Sequence, residues 1–283
     1  MILITGANGQ LGQDFQKLLT AEKVRFIATD RDDLDITSIE AIRAFVSGKW
    51  IKAIINCAAY NAVDQAEADY HMAYKLNSLA VRNLATVANE IGAELIHYST
   101  DYVYNGKNRE EKPYIIFDEV TPLSKYGHSK YCGEKMALET ADKSYVIRTS
   151  WVFGMGNTNF AKKILEWSAG KTELKVVDDQ ISSPAYTVDL AKATYDLMKT
   201  KAYGLYHMTN SGYCSRLEWA QYILEVSGWQ GKVLPSKSAD FKTPAERPEF
   251  SVLDNFGLKE AIGYELPHWK DATDRFLKEL KGE

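Results

Sequence analysis

The chain has 283 residues, of which 45% are hydrophobic and 25% charged, with a formal net charge of −4 and a pI near 5.8. This length suits one large domain or a core domain with a smaller lobe, and the acidic balance gives no basic footprint for nucleic acid. No apolar run reaches the roughly 20 residues that span a bilayer, and the first residues lack the basic start of a signal peptide, so a cytoplasmic protein is expected, with no membrane partner.

Residues 2–5 read as a strand and 10–19 as the helix after it, with Leu11, Phe15, Leu18 and Leu19 on one face. Residues 24–29 form a second strand. Thr37-Ser-Ile-Glu40 resembles a capping box with Thr37 as N-cap, opening a helix to about Val46. Residues 53–57 are a third strand, followed by a long helical stretch that ends near Ile91 with Gly92 as C-cap. Residues 94–99 are a fourth strand. A polar loop, 105–122, then leads to the helix bearing Tyr126; its cluster of Tyr114, Ile115, Ile116 and Phe117 suits a lid or a packing insertion. Residues 145–152 are a fifth strand. Such alternation implies right-handed crossovers and a parallel sheet, an α/β fold of the Rossmann-like doubly wound kind.

The second half is less regular. Helices are expected over 159–169, 188–198 and 217–226, a strand over 176–180, and a segment at 204–208 that returns to the main sheet. Pro235, Pro244, Pro248 and Pro267 punctuate a loop-rich tail. The division expected is a dinucleotide domain of residues 1–153 with returning segments about 186–209. A smaller substrate-binding lobe takes about 154–185 and 210–283. Cys57, Cys132 and Cys214 have neither zinc nor disulfide spacing and read as reduced packing residues. The five histidines have no metal spacing, and no metal is expected.

Gly6, Gly9 and Gly12 lie between the first strand and its helix. The spacing is GxxGxxG rather than GxGxxG, but the mechanics are alike: the backbone turns tightly and approaches a pyrophosphate at a helix N-terminus. Asp30 ends the second strand, where a carboxylate would bind the adenosine ribose, or where it serves only the turn. Arg31 follows and suits a 2′-phosphate, so NADH and NADPH both remain open. Asp35, before Ile36, flanks an adenine or helps to start the next helix. Ala58 and Ala59 end the third strand and let a cofactor backbone pass, or serve close strand–helix packing.

Tyr126 and Lys130 are one helical turn apart and share a face. A phenol has an unperturbed pKa of about 10, and an adjacent ammonium lowers it, which suits an acid in carbonyl reduction. Thr100 supplies a hydroxyl to hold the carbonyl. Tyr131/Lys135 and Tyr195/Lys199 share the spacing. Tyr131 points roughly 140° away from Tyr126, however, and Tyr195 follows no hydroxyl-ended strand. Without its context the Tyr126/Lys130 pair reads as a surface tyrosine beside a solvated lysine. His128 points off the pair's face and suits solvent or packing.

The chain resembles the extended short-chain dehydrogenase/reductases, and within them the dTDP-4-dehydrorhamnose reductase family. The matching stretches run in order along the chain. They are Gly6-Ala-Asn-Gly-Gln-Leu-Gly12, Asp33-Leu-Asp-Ile36, Asn56-Cys-Ala-Ala-Tyr-Asn-Ala-Val-Asp64, Ser99-Thr-Asp-Tyr-Val-Tyr104, Tyr126-Gly-His-Ser-Lys130, Arg148-Thr-Ser-Trp-Val-Phe-Gly154, and Arg247-Pro through Ser251-Val-Leu-Asp254. The resemblance implies Tyr126 as catalytic acid, Lys130 as its partner and ribose ligand, and Thr100 as the carbonyl-polarising hydroxyl. It implies cofactor contacts at Gly9, Gln10, Leu11, Asp30, Asp35, Ile36, Ala59, Tyr60 and Asn61, and substrate contacts at Asp101 and Trp151. Trp151 suits a sugar platform or a core position between lobes. The expected cofactor is NADPH or NADH and the expected substrate a dTDP-linked 4-keto-6-deoxy sugar, handled by a monomer or homodimer. A nucleotide-sugar epimerase or dehydratase, and a dinucleotide-binding regulatory subunit, are the rival readings. The loop Asp179-Gln-Ile-Ser-Ser-Pro-Ala185 departs from the family's usual glycine and threonine around that proline.

Overall fold

The computed structural model describes residues 1–107 and 112–282. Strands β1 (Ile2–Thr5), β2 (Phe26–Thr29), β3 (Ala53–Asn56), β4 (Glu94–Thr100) and β5 (Ser144–Thr149) alternate with helices. The helices are α1 (Gln10–Ala21), α2 (Ile39–Val46), the run α3 (Val63–Ala68), α4 (Tyr70–Tyr74) and α5 (Ala80–Glu90), and then α6 (Lys125–Thr140). Beyond them come β6 (Val152–Phe153), α7 (Phe160–Ser168), β7 (Glu173–Val177), β8 (Ile181–Ser182), β9 (Ala185–Tyr186) and α8 (Thr187–Thr200). The chain continues with β10 (Gly204–His207), β11 (Cys214–Ser215), α9 (Arg216–Val226), β12 (Lys232–Ser236), α10 (Leu258–Ile262) and α11 (Trp269–Lys281).

The central sheet has the order β10-β5-β4-β3-β1-β2, with every pairing parallel. Successive side chains of a strand face opposite sides, and here both sides are apolar. Ile2 and Ile4 join Phe15, Leu19, Leu190 and Leu197 on one face. Leu3 and Ile54 join Ile42, Val81 and Leu84 on the other. Helices therefore cover the sheet on both sides, as buried parallel strands require. The chain turns one way from β1 to β2 and the other way to β3, which opens a crevice at the carboxyl ends of β1 and β3.

Short strand pairs lie outside this sheet: β7 with β12 and β6 with β9 in parallel, β8 with β11 antiparallel. They surround another core of Phe153, Ile164, Val176, Trp219, Ile223 and Phe276. The Trp219 ring is fully buried, and its Nε1 donates to Thr273 Oγ1 at 3.1 Å.

Four local expectations change. Ser38, not Thr37, caps α2: its Oγ accepts from Ala41 N, while Thr37 turns back to Asp35. The single long helix before Ile91 is broken, and Lys75–Leu79 forms a π turn. There α6 presses close, since a Cβ on Gly133 would lie 2.0 Å from the Asn77 carbonyl oxygen. The fifth strand stops at Thr149 because Trp151 takes a left-handed φ of 43° that no strand continues through. The tail is not all loop: α11 buries Trp269, Ala272, Thr273, Phe276 and Leu277, a helical spacing that the preceding prolines obscured. In the 105–122 loop, Tyr114 stacks on Tyr104 at 4.0 Å and bridges to Leu253, as a packing insertion would; Asn108 through Glu111 fall outside the described residues.

Candidate active site

The crevice is lined by residues from the ends of β1, β3, β4 and β5 and from the α6 helix: Gly9 to Gly12, Ala58, Ala59, Asn61, Thr100, Asp101, Tyr126, Lys130 and Trp151 among them. Gly6 takes a left-handed φ of 66°, and a Cβ there would lie 2.6 Å from Ala58 N. A Cβ on Gly12 would meet the Gly6 carbonyl oxygen at 2.5 Å. The loop is therefore as tight as glycine permits. Helix α1 starts with Gly9 as N-cap and no capping side chain, so the first amides of the helix open into the crevice. That end is a ready cradle for a pyrophosphate.

Tyr126 and Lys130 both reach the crevice and are buried. The Tyr126 hydroxyl donates to Asn61 Oδ1 at 3.4 Å. Lys130 Nζ donates to the Tyr98 carbonyl at 2.6 Å. The expected depression of the phenol by the ammonium is not what this geometry gives. Burial pushes the Tyr126 phenol up, with the Thr100 hydroxyl drawing it partly down. Burial also lowers the Lys130 ammonium to about 8, against the nearby Glu134 carboxylate that raises it. The two decoys resolve differently: Lys135 lies over the Tyr131 ring at 5.5 Å and Lys199 over Tyr195 at 4.1 Å, as cation–π pairs outside the crevice.

Thr100 caps a 3₁₀ turn. Its Oγ1 accepts from Tyr102 N at 3.2 Å and donates to Asp101 Oδ1 at 3.1 Å. Asp101 is 2% exposed. Its other oxygen accepts from Ser251 Oγ at 2.5 Å and Ser182 Oγ at 3.3 Å. Burial raises its pKa to about 6 despite these donors and the nearby Arg216. Asp101 thus ties the end of β4 to two distant segments as well as lining the crevice. Trp151 also lines it, with one ring face covered by the Arg216 guanidinium at 3.6 Å.

Other residues named from the sequence sit at the rim or behind. Asp30 Oδ2 accepts from Asn8 N at 3.0 Å and Oδ1 from Arg31 N at 2.8 Å, so its carboxylate braces the glycine loop. The Arg31 side chain is exposed and only loosely paired with Asp32 at 3.6 Å. Asp35 accepts from the Thr37 backbone and hydroxyl, and Ile36 is buried in the core beneath. Tyr60 is fixed by its backbone to Asn77, which also holds Ser129 of α6. This contact sets the Tyr60–Asn61 turn opposite Tyr126, and it comes from the π turn that the sequence pattern did not show.

Known proteins share this fold. The family described as the RmlD substrate binding domain matches residues 1–281. The chain belongs to that family. It is 37% identical over 278 residues to the spore coat polysaccharide biosynthesis protein SpsK of Bacillus subtilis, covering 98% of this chain and 97% of that one. The fold matches a crystal structure of a dTDP-4-dehydrorhamnose reductase from Clostridium acetobutylicum with a TM-score of 0.95 and 41% identity, covering 99% of each chain. It matches the dTDP-4-dehydrorhamnose reductase of Bacillus anthracis, solved in complex with NADP, with a TM-score of 0.94 and 38% identity over 98% of each.

Three features of this family member were not read from its sequence. Behind the crevice, Glu134 takes a bidentate pair with Arg148, accepts from Ser99 Oγ at 2.5 Å, and is one turn from Lys130. Arg148 continues to the Tyr104 hydroxyl at 2.6 Å, and from there to His207. Secondly, Asn159 Nδ2 donates to Gln10 Oε1 at 2.8 Å, so the cap of α7 touches the start of α1. Thirdly, Arg216 lines both the crevice and an adjoining basic depression. Among the described residues, six cations, Lys107, Lys163, Lys175, Arg216, Lys242 and Arg247, face two carboxylates there, Glu246 and Glu249. Trp167 and Phe241 expose apolar faces in it. Only contacts between elements distant in sequence assemble these features. Among the described residues, no helix is long and apolar enough to cross a membrane.

Proposed function

We propose that this protein is a cytoplasmic reductase that converts dTDP-4-dehydro-L-rhamnose to dTDP-L-rhamnose at the expense of NADPH. The observation that carries the reading is the meeting of Tyr126, Lys130 and Thr100 with the uncapped start of α1 in one crevice. Likeness over nearly the whole chain to proteins named for this reduction supports it.

The crevice fits a dinucleotide on two counts. The cradle at the start of α1 presents the free amides of Gln10, Leu11 and Gly12. Farther in, Thr149 Oγ1 is buried, has no hydrogen-bond partner among the described residues, and lines the same wall. Such an atom costs stability unless a ligand or water satisfies it. With Asp30 engaged by the glycine loop and Arg31 projecting, a 2′-phosphate is favoured over a bare ribose. A bound dihydronicotinamide supplies the hydride to the keto carbon. Tyr126 then gives its hydroxyl proton to the developing alkoxide. Its burial keeps that proton in place beforehand, and an alkoxide is a far stronger base than a phenolate, so the transfer runs downhill even from a raised phenol. The Lys130 charge stands one turn away to offset the phenolate left behind. Thr100 turns its proton from Asp101 to the substrate oxygen, while Ser182 and Ser251 keep Asp101 hydrogen-bonded. The adjoining basic depression takes the nucleoside diphosphate, with Trp167 and Phe241 offering surfaces for the base.

Purified protein, offered a panel of keto-nucleotide sugars with each reduced cofactor, should consume NADPH with the dTDP-linked 4-keto-6-deoxy sugar and yield the 4-hydroxy product. Conversion with no net cofactor loss and tightly held oxidised dinucleotide would instead mark an epimerase or dehydratase. Binding of dinucleotide with no turnover of any keto sugar would mark a regulatory subunit.

A further inference from the structure

Arg216 opens α9, where a reciprocal Ser215/Glu218 capping box fixes the helix start and its backbone N–H is tied to the Gln180 carbonyl at 3.0 Å. Its guanidinium carbon lies 3.6 Å from the Trp151 ring centre and 4.5 Å from that of Phe160. Among the described residues, nothing accepts a hydrogen bond from that guanidinium and no carboxylate comes within ion-pair distance. The other two arginines withdrawn from solvent at this end are paired: Arg148 with Glu134 and Arg247 with Asp64, each at 2.7 Å. Burial lowers the Arg216 pKa to about 10, which still leaves it charged at neutral pH.

Such a cation, half-withdrawn from water and pinned by aromatic rings, has no anion in contact to offset its lost hydration; the nearby Asp101 carboxylate lies beyond ion-pair distance and is taken up by Thr100, Ser182 and Ser251. A neutral sugar hydroxyl does not supply that charge, whereas a phosphate matches the guanidinium fork. The position is equally specific. Arg216 is shared by the walls of the crevice and of the basic depression. A substrate with its sugar in one and its nucleoside in the other passes this residue at the phosphate that carries the sugar.

We propose that Arg216 is a specificity-determining residue that grips the sugar-bearing phosphate and so fixes how deeply the keto group sits against Tyr126. The proposal rests on the reductase reading above and deepens it. The nucleoside-side phosphate falls to the lysines of the depression, Lys163, Lys175 and Lys242, which among the described residues have no carboxylate partner in ion-pair range.

The test compares thymidine diphosphate with thymidine monophosphate by calorimetry on NADPH-loaded protein. Wild type should bind the diphosphate about tenfold or more tightly than the monophosphate. Arg216→Leu should erase that preference while leaving monophosphate affinity within a few-fold, and should raise KM for the keto-sugar nucleotide more than it lowers kcat. Arg216→Gln, which keeps the stem against Trp151, should do the same if the leucine variant folds poorly, and Arg216→Lys should retain part of the preference. An unchanged diphosphate preference in either charge-removing variant overturns the proposal, as does an equal loss for both nucleotides. A wild type that turns over the keto sugar yet binds both nucleotides alike defeats only the Arg216 assignment. A wild type that reduces no keto sugar defeats the functional reading itself.

Discussion

Lys130→Met is the sharpest test of the electrostatics described above. Lys130 is 3% exposed, and burial brings its pKa from 10.5 to about 8. A tenfold change in proton affinity is about 1.4 kcal/mol, so holding the ammonium in the fold at pH 7 costs roughly 3 kcal/mol. Methionine has similar length and no charge, but it forfeits the charge-assisted bond to the Tyr98 carbonyl, worth about 2 kcal/mol. The variant should therefore be more stable than wild type by about 1 kcal/mol at pH 7. The sign follows from the lowered folded-state pKa: below about 8 both folded and unfolded lysine are charged and the full penalty applies. It fades as pH rises from 8 toward 10.5, where the unfolded lysine also becomes neutral. Denaturant unfolding at pH 7 and pH 10 should thus show a clear gain shrinking to near parity, together with a collapse of turnover at pH 7, where the wild-type lysine is charged. A variant that is less stable than wild type by the same amount at both pH values would refute the claim that this site holds a charge against its surroundings.

Tyr126→Phe should cut kcat by about 10²–10⁴-fold while NADPH affinity, followed by fluorescence, stays within a few-fold of wild type. Arg31→Ala should raise KM for NADPH several-fold and leave KM for NADH unchanged, because only the former carries a phosphate for that exposed side chain. Glu134→Gln should destabilise the fold by about 3–5 kcal/mol in equilibrium unfolding, since it leaves the Arg148 guanidinium buried without its counter-charge.

The sheet was legible because each strand is short and apolar, and the returning strand at Gly204–His207 still showed that pattern. The glycine turn was legible from its place directly after the first strand, and the Tyr126/Lys130 face from its spacing together with the Thr100-ended strand before it. Electrostatic state was not: the phenol rises rather than falls because burial depends on what packs around it, and residue type says nothing of that. Arg216, Asn77 and Asn159 were missed for a related reason. Each does its work across more than ten residues of separation, on partners that only the folded chain brings near. The Trp151 backbone, turned left-handed between two strands, likewise leaves no signature in a hydropathy pattern.

The amide of Asn159 reaching Gln10 has a consequence for anyone recombining relatives of this protein. Gln10, which lines the crevice at the start of α1, also holds the cap of α7, and Gly156 comes so near that an added methyl would lie 3.0 Å from the Gln10 α-carbon. Grafting a foreign C-terminal part onto this N-terminal one will therefore perturb the seat of the coenzyme unless the glutamine, the glycine and the asparagine move as a set.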